Sequence, residues 1–265
     1  MSEQRHQIAR VRHDTRMRLL DVVGVLDVTP MMRRVSLKGD MAGFSSLGHA
    51  DHIKAFFFPE GVEPYLVPIG PNGAEFPPGQ RPQMRDYTPR YFDVDAGTLD
   101  LDFVLHGDGP ASSWAAQVQV GHKLLIGGPR GSLVVPADFD WYLLAGDETA
   151  LPALGRRIEE LPQSARIIAV IEVDNAAEQQ RFQTAADLTL IYVHRHGLPA
   201  GTTDLVLGAI SKLDLPAGDA YAYIAGESNM SKRVRAHLER RGWNPEWIKA
   251  AGYWLLGVAD AQEPH

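Results

Sequence analysis

The sequence predicts two domains in series: an antiparallel β-barrel of six strands over residues 15–136, then an α/β domain with a five-stranded parallel sheet over residues 137–265. Three observations predict this. Before about Val135 the chain consists of short runs rich in Val, Leu and Phe, separated by Gly, Pro and Asp, which is the texture of strands and turns. Beyond it, apolar runs of strand length alternate with helical stretches, the pattern of a parallel sheet covered by helices. The change of texture falls in SLVVPADFD, around Pro136.

In the first half the candidate strands are LLDVVGVLDVT, MRRVSLKG, IKAFFFP, MRDYTPRYFDV, TLDLDFVLH and HKLLIGGP, spaced as in a sandwich or barrel. GPASSWAAQVQVG, from Gly109, breaks the pattern and predicts a short helix, with Pro and Ser near its start and Gly121 after its end. In the second half FDWYLLAG, ARIIAVIEV, LTLIYVHR, AYAYIAG and GYWLLGVA read as strands. ETALPALGRRIEELP, AAEQQRF, TDLVLGAISKL and SKRVRAHLERRG read as the helices between them. In an open parallel sheet ligands sit beyond the C-terminal ends of the strands, which points to the loops after Gly146, Val173, Arg195, Gly226 and Gly257.

Composition excludes several chemistries. The 265 residues contain no cysteine, which removes disulfides, thiolate metal sites, Fe–S clusters and cysteine nucleophiles. A net charge of -7 gives no general reason to bind nucleic acid. The opening MSEQRHQIARVRHDTRMRLL is rich in arginine but lacks the apolar core of a secretory signal, and reads as a solvated lead-in. No apolar run approaches the roughly 18 residues of a membrane span. The expectation is a cytoplasmic protein, with no membrane insertion and no nucleic-acid partner. The histidines show no metal-ligand spacing; His194 and His196 flank Arg195 and alternate across a strand end.

The residues that carry chemistry start with RDYTPR at 85–90. As a strand it points Arg85 and Tyr87 to one face and Asp86 and Thr88 to the other. A tyrosine ring stacks on a planar isoalloxazine, a hydroxyl bonds the N5 edge, and an arginine takes the phosphates of a flavin nucleotide. The same six residues also suit an exposed strand edge kept soluble by its charges. GPASSWA adds a helix start, whose unpaired N–H groups and positive dipole end favour a phosphate; one of its serines can instead simply cap the helix. GGPRGS, residues 127–132, is a glycine turn that lets backbone approach a ligand or merely turns the chain. GDETALPA occupies the place of a dinucleotide-binding glycine loop, yet Asp147 and Glu148 sit at its helix start, where carboxylates satisfy the dipole and repel a pyrophosphate. Arg195, at the end of the third strand of this half, is placed to meet an adenosine 2′-phosphate. Lys232, Arg233 and Arg235, beyond Glu227 and Ser228, are either phosphate contacts or a solvated helix face.

Taken in order, RDYTPR, DFVLHGDGPASSWA from Asp102, GGPRGS, AGDETALP from Ala145, AGES from Ala225 and GYWLLG from Gly252 resemble the siderophore-interacting proteins, the flavin-dependent ferric-siderophore reductases of the ferredoxin-reductase-like superfamily. DHIKAFFFP from Asp51 also looks like a segment of that family. The resemblance implies an FAD-binding barrel, a NAD(P)H-binding α/β domain, NADPH or NADH as donor and a ferric siderophore as substrate. It implies that Arg85, Tyr87 and Thr88 hold FAD, with Arg90 close by, Tyr87 and Thr88 acting nearest the reacting ring. Asp86 and Asp102 join the cofactor set, and His106, Gly107, Ala111, Ser112 and Trp114 line the pyrophosphate and adenine side. Asp147, Thr149, Ala150, Glu227, Tyr253 and Trp254 border the nicotinamide nucleotide. Lys54 and Arg90 are the residues expected to attract an anionic chelate. The sequence departs from the family at Leu255, where relatives often carry an arginine. Two alternatives stand beside this reading: a reductase serving an acidic protein acceptor such as a ferredoxin or flavodoxin, and a siderophore carrier without activity.

Overall fold

A computed structural model describes residues 5–70, 73–107 and 109–258. The described residues divide into two compact units, Ile8–Val135 and 136–258, the latter also taking in residues 5–7.

In the first unit the strands are β1 (Ala9–Arg12), β2 (Met17–Thr29), β3 (Met32–Lys38), β4 (Ile53–Phe57), β5 (Ile69–Gly70), β6 (Gly73–Ala74), β7 (Gln83–Tyr87), β8 (Tyr91–Asp93), β9 (Thr98–Val104), β10 (Lys123–Gly127) and β11 (Gly131–Val134). Seven of them form one antiparallel sheet in the order β7-β4-β10-β2-β3-β9-β8. The expected six strands become seven because MRDYTPRYFDV divides. Pro89 has no N–H to give to a ladder, so pairing stops at Tyr87 and resumes at Tyr91. The two fragments are the two edges of the sheet, and residues 88–90 alone join them. So short a connection holds the edges within about 14 Å of each other, so the sheet is curled into a barrel with RDYTPR at its seam.

The barrel interior is an apolar cluster that includes Leu20, Val35, Ile53, Leu101, Phe103 and Ile126. It is plugged by α1 (Pro110–Gln117) through buried Ala111 and Ala115. The N-terminal segment expected to be solvated instead supplies β1, which pairs with β11. Gly131 permits this close approach: a Cβ there would stand 2.5 Å from the carbonyl oxygen of Val11. This glycine of GGPRGS therefore serves the chain's own backbone.

The second unit carries β12 (Trp141–Gly146), β13 (Arg166–Val173), β14 (Asp187–His194), β15 (Ala220–Glu227) and β16 (Ile248–Trp254). All are parallel, in the order β14-β13-β12-β15-β16. The helices are α2 (Leu151–Glu160), α3 (Leu205–Lys212) and α4 (Ser228–Arg240). The helix expected over AAEQQRF is only a 3-10 turn, Ala176–Glu178. That stretch has no apolar stripe to bury. Its backbone is held instead by Tyr192, whose hydroxyl accepts from the amide of Gln180 and donates to the Gln180 carbonyl. With β12 central, the order of strands reverses between β12 and β15, and the crevice beyond their C-terminal ends is the expected ligand position.

The first described residues belong to this unit as well. The ring nitrogens of His6 lie 3.0 Å from Asp138 and 3.2 Å from Asp219, and the ring stacks on Phe139 at 4.0 Å. Among the described residues no helix is long and apolar enough to cross a membrane.

Candidate cofactor and substrate sites

In the barrel unit, β7 and α1 converge on shared aromatic residues. The Tyr87 ring lies 4.3 Å from Phe103 and 6.4 Å from Phe57, and the same two rings lie 5.5 Å and 5.7 Å from Trp114. RDYTPR and the GPASSWA helix are therefore neighbours across one aromatic layer. Tyr87 is half-buried, and burial pushes its phenol up, so it stays protonated as a donor and apolar surface.

Gly109 occupies the cap position of α1, with no side-chain hydrogen bond to the helix and no acidic residue in the first turn. Ser112 does not cap the helix: its Oγ accepts from the amide of His106 at 3.0 Å and ties the exposed His106–Gly107 corner to the first turn. Among the described residues no carboxylate caps the start of α1, so its first amides and its positive dipole end are available to an anion. This donor set fits FAD, whose pyrophosphate needs N–H groups and positive charge.

Several expected site residues are engaged by one another. Lys54 donates to both oxygens of Asp86, at 2.6 Å and 2.9 Å, across the β4–β7 ladder. One was expected to meet the cofactor and the other the chelate. Paired, their charges cancel, and Lys54 is not an open cation. Asp102 is buried and takes Arg34 bidentately at 2.7 Å and 2.8 Å. That commitment explains Asp102 without a cofactor. Arg90 is only 4 % exposed, and its guanidinium lies 4.1 Å from the centre of the Tyr91 ring, which Arg34 also covers at 4.8 Å. Arg90 is thus a buried seam residue rather than a surface lure. Thr88 is buried beside it, while Arg85 is half-buried, with Nη1 donating to the Met84 carbonyl at 2.8 Å.

In the α/β unit, Asp147 is the hub. It is buried at the tip of β12, where Oδ1 accepts from the amide and hydroxyl of Thr149 at 2.9 Å and 2.5 Å. Its Oδ2 accepts from the Glu227 amide at 2.8 Å and from Trp254 Nε1 at 2.9 Å. Glu227 in turn caps α4, accepting from the Met230 amide at 2.8 Å. Tyr253 meets the buried Tyr223 hydroxyl to hydroxyl at 2.7 Å. Ala150 is fully buried against the β12 tip.

Desolvation, reinforced by neighbouring Glu148, pushes the Asp147 carboxyl up to about 6. A raised folded-state value stabilises the fold below the ordinary value of 3.8, and this contribution is lost as pH rises through about 6. The unfolding free energy of the wild type, minus that of Asp147→Asn, is therefore expected to fall between those two pH values. Denaturant titrations across that range test it, and a flat difference contradicts it.

Arg195 is the main correction. Expected to face a 2′-phosphate, it is 6 % exposed and donates to both oxygens of Glu148, at 2.5 Å and 2.7 Å. Its Nη1 also reaches Glu172 at 3.4 Å, and Glu172 accepts from the Thr203 hydroxyl at 2.5 Å. The guanidinium is neutralised where it stands. Sequence reasoning misses Glu172; its signal is a lone carboxylate inside the apolar run IIAVIEV, which a sheet interior tolerates only with a partner. Arg233 pairs with Asp204 at 3.0 Å and Arg235 with Glu239 at 2.7 Å, which makes both part of a salt-bridged helix face. Among the described residues no cluster of metal-binding side chains occurs.

Comparison with known proteins agrees with this two-part construction. Residues 21–133 match the family model "Siderophore-interacting FAD-binding domain" and residues 139–257 the model "Siderophore-interacting protein". The NADPH-dependent ferric-chelate reductase of Escherichia coli is 35% identical over 250 residues, covering 92% of this chain and 95% of that protein. The ferric vibriobactin reductase of Vibrio cholerae is 33% identical over 247 residues, covering 91% and 90%. Among solved structures, a siderophore utilization protein from T. fusca superposes with a TM-score of 0.89 at 39% identity, over 97% of this chain and 99% of that one. A barrel matched by the FAD-binding model, a parallel α/β domain matched by the second model, and relatives at 35% and 33% identity over nine-tenths of the chain make this chain a member of the siderophore-interacting protein family.

Proposed function

We propose that the chain is a flavin-dependent reductase that uses a nicotinamide nucleotide to reduce Fe(III) held in a siderophore. The observation that carries this is the uncapped start of α1 beside RDYTPR, a positively polarised cradle joined to an aromatic layer. With FAD bound, the flavin supplies the conversion of a two-electron donor into single electrons for Fe(III), whose reduced form oxygen donors hold far less tightly.

The chain's own residues bind and orient. Arg85 and the first amides of α1 hold the pyrophosphate, with the His106–Gly107 corner closing over it and small Ala111 allowing close approach. The Tyr87 ring supplies an apolar face for the isoalloxazine, and the Thr88 hydroxyl bonds its N5 edge. Trp114 completes the aromatic wall. Asp147 holds Thr149, Glu227 and Trp254 in fixed register around the nicotinamide position. The chelate is a small molecule, and neither Lys54, paired with Asp86, nor buried Arg90 is an open cation to draw it.

The test is anaerobic. The protein is reconstituted with FAD, mixed with NADH or NADPH, then offered ferric catecholate, hydroxamate and citrate complexes while Fe(II) is trapped by a chromogenic chelator. Flavin bleaching followed by Fe(II) formation above the rate given by free FAD is expected. Fe(II) formation no faster than with free FAD overturns the reading.

A further inference from the structure

We propose that this chain recognises its nucleotide donor through the nicotinamide mononucleotide half, and that the described strand tips and helix starts at the switch point of its α/β domain offer no phosphate cradle for the adenylate half, with or without a 2′-phosphate. This rests on the proposed function, in which the donor is a nicotinamide nucleotide. It departs from the usual arrangement of a dinucleotide domain, in which the pyrophosphate lies on a helix start at the switch point.

The two helix starts flanking that switch point are both filled by the protein's own carboxylates. At the tip of β12, Asp147 takes the Thr149 amide; at the tip of β15, Glu227 takes the Met230 amide. Both carboxylates are nearly inaccessible, at 4 % and 2 % exposure. The amide that a pyrophosphate would reach between them, that of Glu227, is held by Asp147 as well. The glycine at this point has been put to the same use. Gly226 has φ +131, and a Cβ on it would stand 2.5 Å from Asp147 Oδ2. In a phosphate-binding loop a glycine makes room for the ligand; in this loop it makes room for a side-chain anion.

Arg195, the cation expected to answer a 2′-phosphate, is taken too, since it is bidentate to Glu148 and reaches Glu172. A shallow recess at these strand tips is lined by Asp147, Glu172, Thr203 and Glu227. These carboxylates are already engaged by the protein's own donors and leave no positive charge in the recess. They repel phosphates, and the 2′-phosphate adds about 1.5–2 further negative charges.

The experiment measures bleaching of the flavin-loaded protein by NADH, NADPH and reduced nicotinamide mononucleotide, together with calorimetric titration of adenosine 2′,5′-bisphosphate. The expected kcat/KM for the mononucleotide is within about tenfold of that for NADH, because a site that does not hold a group loses little when it is absent. NADPH is expected to fall below NADH at low salt and to approach it as salt screens the repulsion. No saturable heat from the bisphosphate is expected at millimolar concentration. A mononucleotide weaker by more than tenfold, or sub-millimolar binding of the bisphosphate, overturns the proposal. Should none of the three donors bleach the flavin while dithionite-reduced protein still reduces a ferric chelate, the nicotinamide reading itself fails, and this proposal with it.

Discussion

Arg195→Leu is expected to destabilise the α/β domain by about 3–5 kcal/mol, the usual cost of leaving a buried charge without its partner. The substitution keeps most of the side chain's volume and removes the guanidinium bonded to Glu148 and Glu172, of which Glu172 is 4 % exposed. Both carboxylates then lose this cation, and Glu172 keeps only the Thr203 hydroxyl from the network. Urea unfolding followed by far-UV circular dichroism measures the loss.

The pH dependence separates this cause from simple loss of packing. Glu172 is left buried and Glu148 half-buried without the guanidinium, and a desolvated carboxylate that loses its cation is disfavoured in its charged form, so the cost is smallest at low pH and grows as pH rises. The deficit of the variant is therefore expected to shrink toward pH 5 and to grow toward pH 8. Adding Glu148→Gln to Arg195→Leu removes one of the stranded charges and should recover part of the loss, a non-additivity expected for residues in contact. A deficit below about 1 kcal/mol, or one independent of pH, would show that Arg195 is solvated enough to need no partner.

Much of this architecture is legible in the sequence, for physical reasons. Alternation of apolar runs with amphipathic stretches needs only local periodicity, so the β12–β16 sheet and the helices α2, α3 and α4 can be read from spacing. Pro89 announces its own break, yet the run around it reads as one strand, because alternation alone does not say where a ladder loses a donor. β1 is hidden since four residues, ARVR, become a strand only by pairing with β11, more than a hundred positions away. In the site, local chemistry points to RDYTPR and to the acidic start at Asp147. What it does not contain is pairing. Lys54 with Asp86, Arg34 with Asp102 and Arg195 with Glu148 each join residues 32 to 68 positions apart. A charge read alone looks available; the fold decides whether it is spent on the protein or left for a ligand.

That distinction gives the second large expectation, which concerns Arg85. Arg85→Ala should leave the barrel folded and weaken FAD binding by roughly 10- to 150-fold, the loss expected for a charged hydrogen bond worth about 1.5–3 kcal/mol. Arg85 is half-buried at the β7 edge, and its register partner across the β4–β7 ladder is small, buried Ala55, so removing it opens no large cavity. Reconstitution followed by gel filtration and flavin absorbance measures retained FAD, and circular dichroism checks the fold. Arg85→Lys provides the internal comparison. Lysine restores the charge without the fork of donors, so recovery should be partial if a phosphate is held bidentately and nearly complete if only charge matters. Should Arg85→Ala keep FAD as tightly as the wild type, the phosphates must rest on the α1 amides alone, and Arg85 takes no part in holding them.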